Sequence, residues 1–288
     1  MAIFDLPPAL AVYTLILTAL FGLCLGSFLN CFAFRYVFGG SVLRGRSRCA
    51  ACGHELTLLD LIPLFSWLFL RGRCRRCGTK ISARYLLAEL LCSVAFVAVV
   101  LKFGLTLDAA RFLLLFSLLL AASMADLWGG LIPDRLIIIG AVAAFIFALF
   151  TENIPLSLLR TLIGGLSISL PLLLLVLLFD KIMKRESMGG GDIKLLFLIG
   201  LYFDWKLNLI ILILACIIGI LMALILNTRG KSSSSEESEA EAEAPEAEES
   251  QAPDNPGAIS FAPALSLAAL VAAMFGQSFL DWYLNLFL

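Results

Sequence analysis

Long apolar runs separated by short polar turns dominate the chain. Residues 10–33, 86–101, 109–125, 136–150, 156–179, 207–227 and 262–284 show no strand-like alternation, and they approach the ~20 residues that carry a helix across a bilayer. Residues 193–203 form one more apolar run, too short to span comfortably and therefore tilted or partly inserted. The pattern predicts an all-α polytopic membrane protein of about eight transmembrane helices. Two stretches break it. Residues 35–85 are polar and cysteine-containing, and residues 231–258 are rich in Ser, Glu, Ala and Pro with no apolar periodicity. The chain thus divides into a first span (1–34), a polar loop (35–85), a helical core (86–230), a disordered acidic linker (231–258) and a last span (259–288).

Composition agrees: 61% of the 288 residues are hydrophobic, 15% are charged, and mean hydropathy is +0.98. The net charge of -1 hides an uneven distribution, because nine acids fall within residues 236–254. Elsewhere 21 Lys and Arg face 13 Asp and Glu. Ten of those cations (Arg35, Arg44, Arg46, Arg48, Arg71, Arg73, Arg75, Arg76, Lys80 and Arg84) lie in the polar loop against only Glu55 and Asp60. By the positive-inside rule this loop is cytoplasmic, and Lys181, Lys184, Arg185, Arg229 and Lys231 mark the same side further along. Both termini then lie outside. Topology accounts for the basic bias, so no nucleic-acid partner is expected. The first apolar run lacks a basic leader and a small-residue cleavage site, which makes it a retained span.

This topology places two carboxylates at the cytoplasmic membrane boundary. Asp126 ends the third span and opens the turn Asp126-Leu-Trp-Gly-Gly-Leu-Ile-Pro-Asp134, where Pro133 suits a helix start. Asp192 follows three glycines in Gly189-Gly190-Gly191-Asp192-Ile193-Lys194-Leu195. Ionisable groups are costly near the membrane and are functional candidates by default. Glycines let the backbone approach a substrate closely. Two such acids can share one proton: the ionised one acts as general base on water while the protonated one polarises a carbonyl. A pair of helix caps is the plainer alternative.

Cys49-Ala-Ala-Cys52 and Cys74-Arg-Arg-Cys77 have near zinc-ribbon spacing, and four thiolates complete a tetrahedral zinc shell. A reducing cytoplasm disfavours disulfides there, and the flanking arginines favour thiolates. His54 is then surplus, a solvated loop residue. Cys24, Cys31, Cys92 and Cys216 fall in apolar spans and are expected to be inert packing residues.

Together these motifs resemble the prepilin peptidases, or type IV leader peptidases, which are GxGD-type intramembrane aspartic proteases. Gly189-Gly190-Gly191-Asp192-x-Lys194-Leu195 matches the GxGD signature, and the Asp126 to Asp134 turn matches the family's second motif. Gly26-Ser27-Phe28-Leu29-Asn30 with Arg35 matches its N-terminal signature. The resemblance implies catalytic roles for Asp126 and Asp192, with Gly189, Gly191, Lys194 and Asp134 in binding or supporting roles. It also implies cleavage of basic leaders from prepilins or pseudopilins of a type IV pilus, type II secretion or DNA-uptake system, at the cytoplasmic face of a bacterial inner membrane. In longer members the tetracysteine loop accompanies N-methylation of the new terminus by S-adenosyl-L-methionine. The match there continues through Asp60-Leu-Ile-Pro-Leu64, Arg71-Gly-Arg-Cys74 and Ile81-Ser-Ala-Arg-Tyr85 to Glu89. A peptidase without the methyltransferase activity is the runner-up, and a proton-coupled transporter the more distant rival. The last span departs from the family, reading Ile259-Ser260-Phe261-Ala262-Pro263 where an Ile-Pro-Phe-Gly-Pro-like run is usual.

Overall fold

The computed structural model describes residues 3–40, 47–49, 51–184, 189–233 and 260–287. Arg44, Arg46, Arg185 and most of the acidic linker lie outside the described residues. The described chain is nearly all helix. After α1 (Pro8–Phe38) come the short α2 (Phe65–Phe69) and α3 (Ala83–Phe103), then α4 (Leu107–Gly129), α5 (Asp134–Ala148) and α6 (Ile154–Met183). The chain continues as α7 (Gly190–Gly200) and α8 (Trp205–Ser233), and the last segment is α9 (Ala262–Val271), a π-helical turn (Ala272–Gly276) and α10 (Gln277–Phe287). Two isolated bridges, Arg48 to Glu55 and Arg73 to Lys80, are the only β pairings among the described residues.

Among the described residues, six helical segments are long and apolar enough to cross a membrane: α1, α3, α4, α6, α8 and the α9–α10 run. Six of the about eight expected spans reach that length; the other two are α5, with 15 residues, and α7, with 11. At ~1.5 Å per residue these reach only about 22 and 16 Å, against ~30 Å of hydrocarbon. α8 continues to Ser233, past the position where the linker was expected to begin.

α4 is the most enclosed long helix, with 61% of its apolar window buried. It packs on α1, α3, α5 and α9, while α7 nests against α6. Lipid tails are as apolar as Leu, so burying Leu here gains little and close backbone approach matters more. Gly164 and Gly200 supply it: a methyl group on Gly164 would lie 2.4 Å from the Gly200 carbonyl oxygen. Gly22 and Gly26 do the same for α1 on α3, where a methyl on Gly26 would lie 2.9 Å from the Glu89 Cα. Asn208, fully buried, adds a hydrogen bond to the Gly164 carbonyl at 3.1 Å. α5 and α9 each pack on both α4 and α7, which brings the C-terminal end of α4 and the N-terminal end of α7 to one end of the bundle.

Candidate active site

The last turn of α4 presents Asp126. The helix stops at Gly130, whose φ of +63° favours glycine and whose N–H reaches the Asp126 carbonyl at 2.8 Å. The Asp126 side chain is buried, with 9% exposure. Its Oδ2 accepts the Ala262 N–H at 3.3 Å, and its carbonyl accepts the Ser260 hydroxyl at 3.3 Å. Ala262 opens α9, and the first N–H groups of a helix have no partner within it. A carboxylate there satisfies one of them.

Asp192 lies in the first turn of α7, half-buried, with its own N–H on the Gly189 carbonyl at 3.1 Å. Asp192 lies within range of the Asp126 charge, so the end of α4 and the start of α7 place the two sequence-distant acids near one another. The two motif loops also touch. A methyl on Gly191 would press on the Ile132 side chain at 3.2 Å, whereas one on Gly190 would meet nothing. Lys194, one turn on, forms an ion pair with Asp134 at 2.6 Å, tying the start of α7 to the start of α5. Asp134 and Lys194 therefore form a brace beside the acid pair.

Two residues past Asp126, Trp128 joins this core to the N-terminal segment. Its indole N–H donates to Asn30 Oδ1 at 3.3 Å, Phe34 meets it edge-on, and Tyr85 and the Arg84 guanidinium flank it. Asn30 of the N-terminal signature thus touches the second motif. Glu89, on α3, accepts the Leu64 N–H at 2.8 Å and pairs with the Ser27 hydroxyl, anchoring the polar loop to α1 and α3.

That loop is a pair of matching turns. The N–H groups of Cys49 and Gly53 bond to His54 and Cys49 carbonyls, and those of Cys74 and Gly78 to Thr79 and Cys74 carbonyls. The sulfurs of Cys49, Cys52, Cys74 and Cys77 all lie within 4.8 Å of one another, and Cys49 and Cys77 are 3.8 Å apart. Four sulfurs at ~2.3 Å from a tetrahedral zinc would be about 3.8 Å apart, so the set fits the metal. The Thr79 hydroxyl beside Cys77 pulls its thiol down to about 6, toward the ligating thiolate. Asp60 closes the base of the loop. The Thr57 hydroxyl and backbone N–H, with Arg75 at 3.0 Å, hold its carboxyl below the usual carboxylate range. Two expectations change here. His54 is half-buried with the Arg76 guanidinium 3.2 Å from Nδ1, not freely solvated. Cys92 is packed as expected, but Cys24 and Cys216 are exposed on helix faces.

Sequence reasoning missed the contacts that Ser260 and Ala262 make with Asp126. The signal was present in the departure of residues 259–263 from the family run, but it was read apart from the acid pair.

Comparison with known proteins gives the family. Residues 20–103 match the Bacterial Peptidase A24 N-terminal domain, and residues 113–224 match the Type IV leader peptidase family. The chain is 37% identical to a Prepilin leader peptidase/N-methyltransferase of Myxococcus xanthus over 77% of its own length and 66% of that protein's. It is 33% identical to one from Aeromonas hydrophila, over 84% and 76%, and 28% identical to one from Bacillus subtilis, over 93% and 96%. No solved structure matches the chain. With both domains matched in order over the polar loop and the helices that carry the two acids, the chain belongs to the type IV leader peptidase family.

Proposed function

We propose that this protein cleaves the basic leader from type IV prepilins or pseudopilins and methylates the amine so exposed. The observation that carries the protease half is the meeting of Asp126, from the end of α4, with Asp192, from the start of α7. One carboxylate, ionised, removes a proton from water as its oxygen attacks the scissile carbonyl carbon. The other, protonated, gives its proton to the carbonyl oxygen. Collapse of the tetrahedral intermediate breaks the C–N bond, the first acid's proton leaves with the amine, and a hydroxyl proton of the intermediate returns to the second acid as the carbonyl reforms. Gly189, beside the Asp192 carboxylate, leaves room for an extended strand of substrate.

The site lies at the cytoplasmic membrane surface of a bacterial inner membrane. Arg48, Arg71, Arg73, Arg75 and Arg76 surround the cysteine module, and the positive-inside rule assigns that end to the cytoplasm, where a basic leader resides. Zinc on Cys49, Cys52, Cys74 and Cys77 would hold the module's two turns together. The Myxococcus and Aeromonas relatives are named N-methyltransferases, an activity that needs a methyl donor; the donor implied by the family resemblance is S-adenosyl-L-methionine.

The test is cleavage of a prepilin by Asp126→Asn and Asp192→Asn variants in membranes. Asn keeps size and polarity but cannot act as the base, so each change should lower cleavage at least about 100-fold with expression unchanged. Cleavage at the wild-type rate by both variants would remove the protease reading.

A further inference from the structure

At the end of the bundle opposite the acids, a cavity of about 470 Å³ opens between α3, α4, α6 and the π-helical turn. Arg111 and Asp126 are fifteen residues apart on α4, so at ~1.5 Å per residue this cavity is about 22 Å from the acid pair. Three cations line it: Lys102, Arg111 and Arg160. Asp204 is the one carboxylate among the lining residues. Ser157, Thr161 and Gln277 add neutral polar groups. Leader cleavage and methylation use none of these.

Two of the cations have partial structural duties. Lys102 Nζ donates to the Ala273 and Met274 carbonyls, and Arg111 Nη2 donates to the Leu201 and Tyr202 carbonyls at 3.2 and 2.9 Å. Neither is satisfied by this. An ammonium has three donors, and Arg111 Nε is buried with no acceptor among the described residues. A buried unmatched donor is available to water, an ion or a ligand. Arg160 makes no hydrogen bond or ion pair among the described residues, although it borders the same cavity. Cations outnumber carboxylates three to one in the lining, and the positive-inside bias, which gathers cations at the other end, does not explain it.

We infer that this cavity binds a phosphate group, with Arg160 and the free donors of Lys102 and Arg111 as its ligands. Guanidinium groups match phosphate oxygens geometrically, and Ser157 and Thr161 can donate to the remaining ones. The surroundings favour an anionic phospholipid headgroup over free phosphate. Leu156 and Leu159 on α6, and Phe275 and Phe279 near the π-helical turn, are exposed beside the cavity where acyl chains would lie. Basic pockets between transmembrane helices are a common form of headgroup site. Bound there, a lipid would bridge α6 to the last segment, whose other end holds Asp126.

The test uses the full chain in delipidated detergent, with binding followed by native mass spectrometry and thermal unfolding. Phosphatidylglycerol should be retained and should raise the unfolding temperature, and phosphatidylcholine should do neither. Arg160→Gln, at an exposed position without fold contacts, should weaken phosphatidylglycerol binding about tenfold, the size of one charge-assisted hydrogen bond. Lys206→Gln, on the same end but outside the cavity, should leave it unchanged. Millimolar inorganic phosphate that stabilises wild type as strongly as the lipid, but not Arg160→Gln, supports the site and names free phosphate as its source. Equal binding of both lipids, or an Arg160→Gln variant that matches wild type toward both lipid and phosphate, overturns the site.

Discussion

The carboxylate of Asp126 accepts the backbone N–H of Ala262, a residue 136 positions further along the chain. One of the two acids is thus oriented from the last membrane segment, which lies beyond the region matched to the peptidase family. Ser260 reinforces the contact through the Asp126 carbonyl. Ser260→Ala removes that hydroxyl and leaves the Ala262 N–H in place. A neutral hydrogen bond is worth about 0.5–1.5 kcal/mol, so kcat for leader cleavage should fall about two- to tenfold with KM little changed. Single-turnover cleavage assays would check this, and an unchanged kcat would show that the backbone N–H alone suffices.

The glycines before Asp192 should not be equivalent. Gly191 faces Ile132 so closely that a methyl group would stand 3.2–3.3 Å from three of its side-chain atoms, while Gly190 faces open space. Gly191→Ala should displace the α4–α5 turn from the start of α7 and reduce cleavage, by about tenfold or more, since small misplacements of reacting groups are expensive. Gly190→Ala should cleave like wild type. Equal sensitivity at the two positions would mean that substrate, not Ile132, sets the demand for glycine.

The helices and the two acids were legible because their signals are local. Apolar runs give the spans, and charge next to glycine at a span's end marks Asp126 and Asp192. What could not be read was the pairing of distant segments. No periodicity links Asn30 to Trp128, or Ser260 to Asp126, because each contact depends on how α1 and α9 lean against α4. The span count could not be read for a related reason: α5 and α7 are apolar but short, and α7 is enclosed by its neighbours while α5 leaves Ile138, Ile139 and Val142 exposed. Asp134 and Lys194 were each marked as supporting residues, yet their partnership required the two loops to be seen side by side.

That partnership should brace the site without driving its chemistry. Both side chains of the Asp134–Lys194 pair are more than half exposed, at 64% and 54%, and exposed pairs contribute about 0–1 kcal/mol. Asp134→Asn and Lys194→Met should each reduce cleavage only a few-fold, and the double variant should be no worse than the poorer single one. A thermodynamic cycle on cleavage rates gives the coupling directly. A loss at Asp134→Asn as deep as that at Asp126→Asn would move Asp134 into the reacting set.

Zinc removal should separate the two halves of the molecule. Cys74 is the most enclosed of the four thiols, at 5% exposure, and its N–H and carbonyl also build one of the matching turns. Cys74→Ser should lower bound zinc from about one per chain to near zero, because serine leaves an incomplete thiolate shell. The cysteine module has little apolar core of its own, so metal loss should open it to protease within residues 47–82. The helical core should persist, since α4, α7 and α9 pack without help from the module. Leader cleavage should then survive Cys74→Ser better than methylation does, if methylation depends on this module. Parallel assays of cleavage and of methyl incorporation, with zinc measured on the same sample, would decide it. Equal loss of both activities would show that the loop also positions the prepilin for the acids, through Glu89 and the Trp128 contacts that join it to the core.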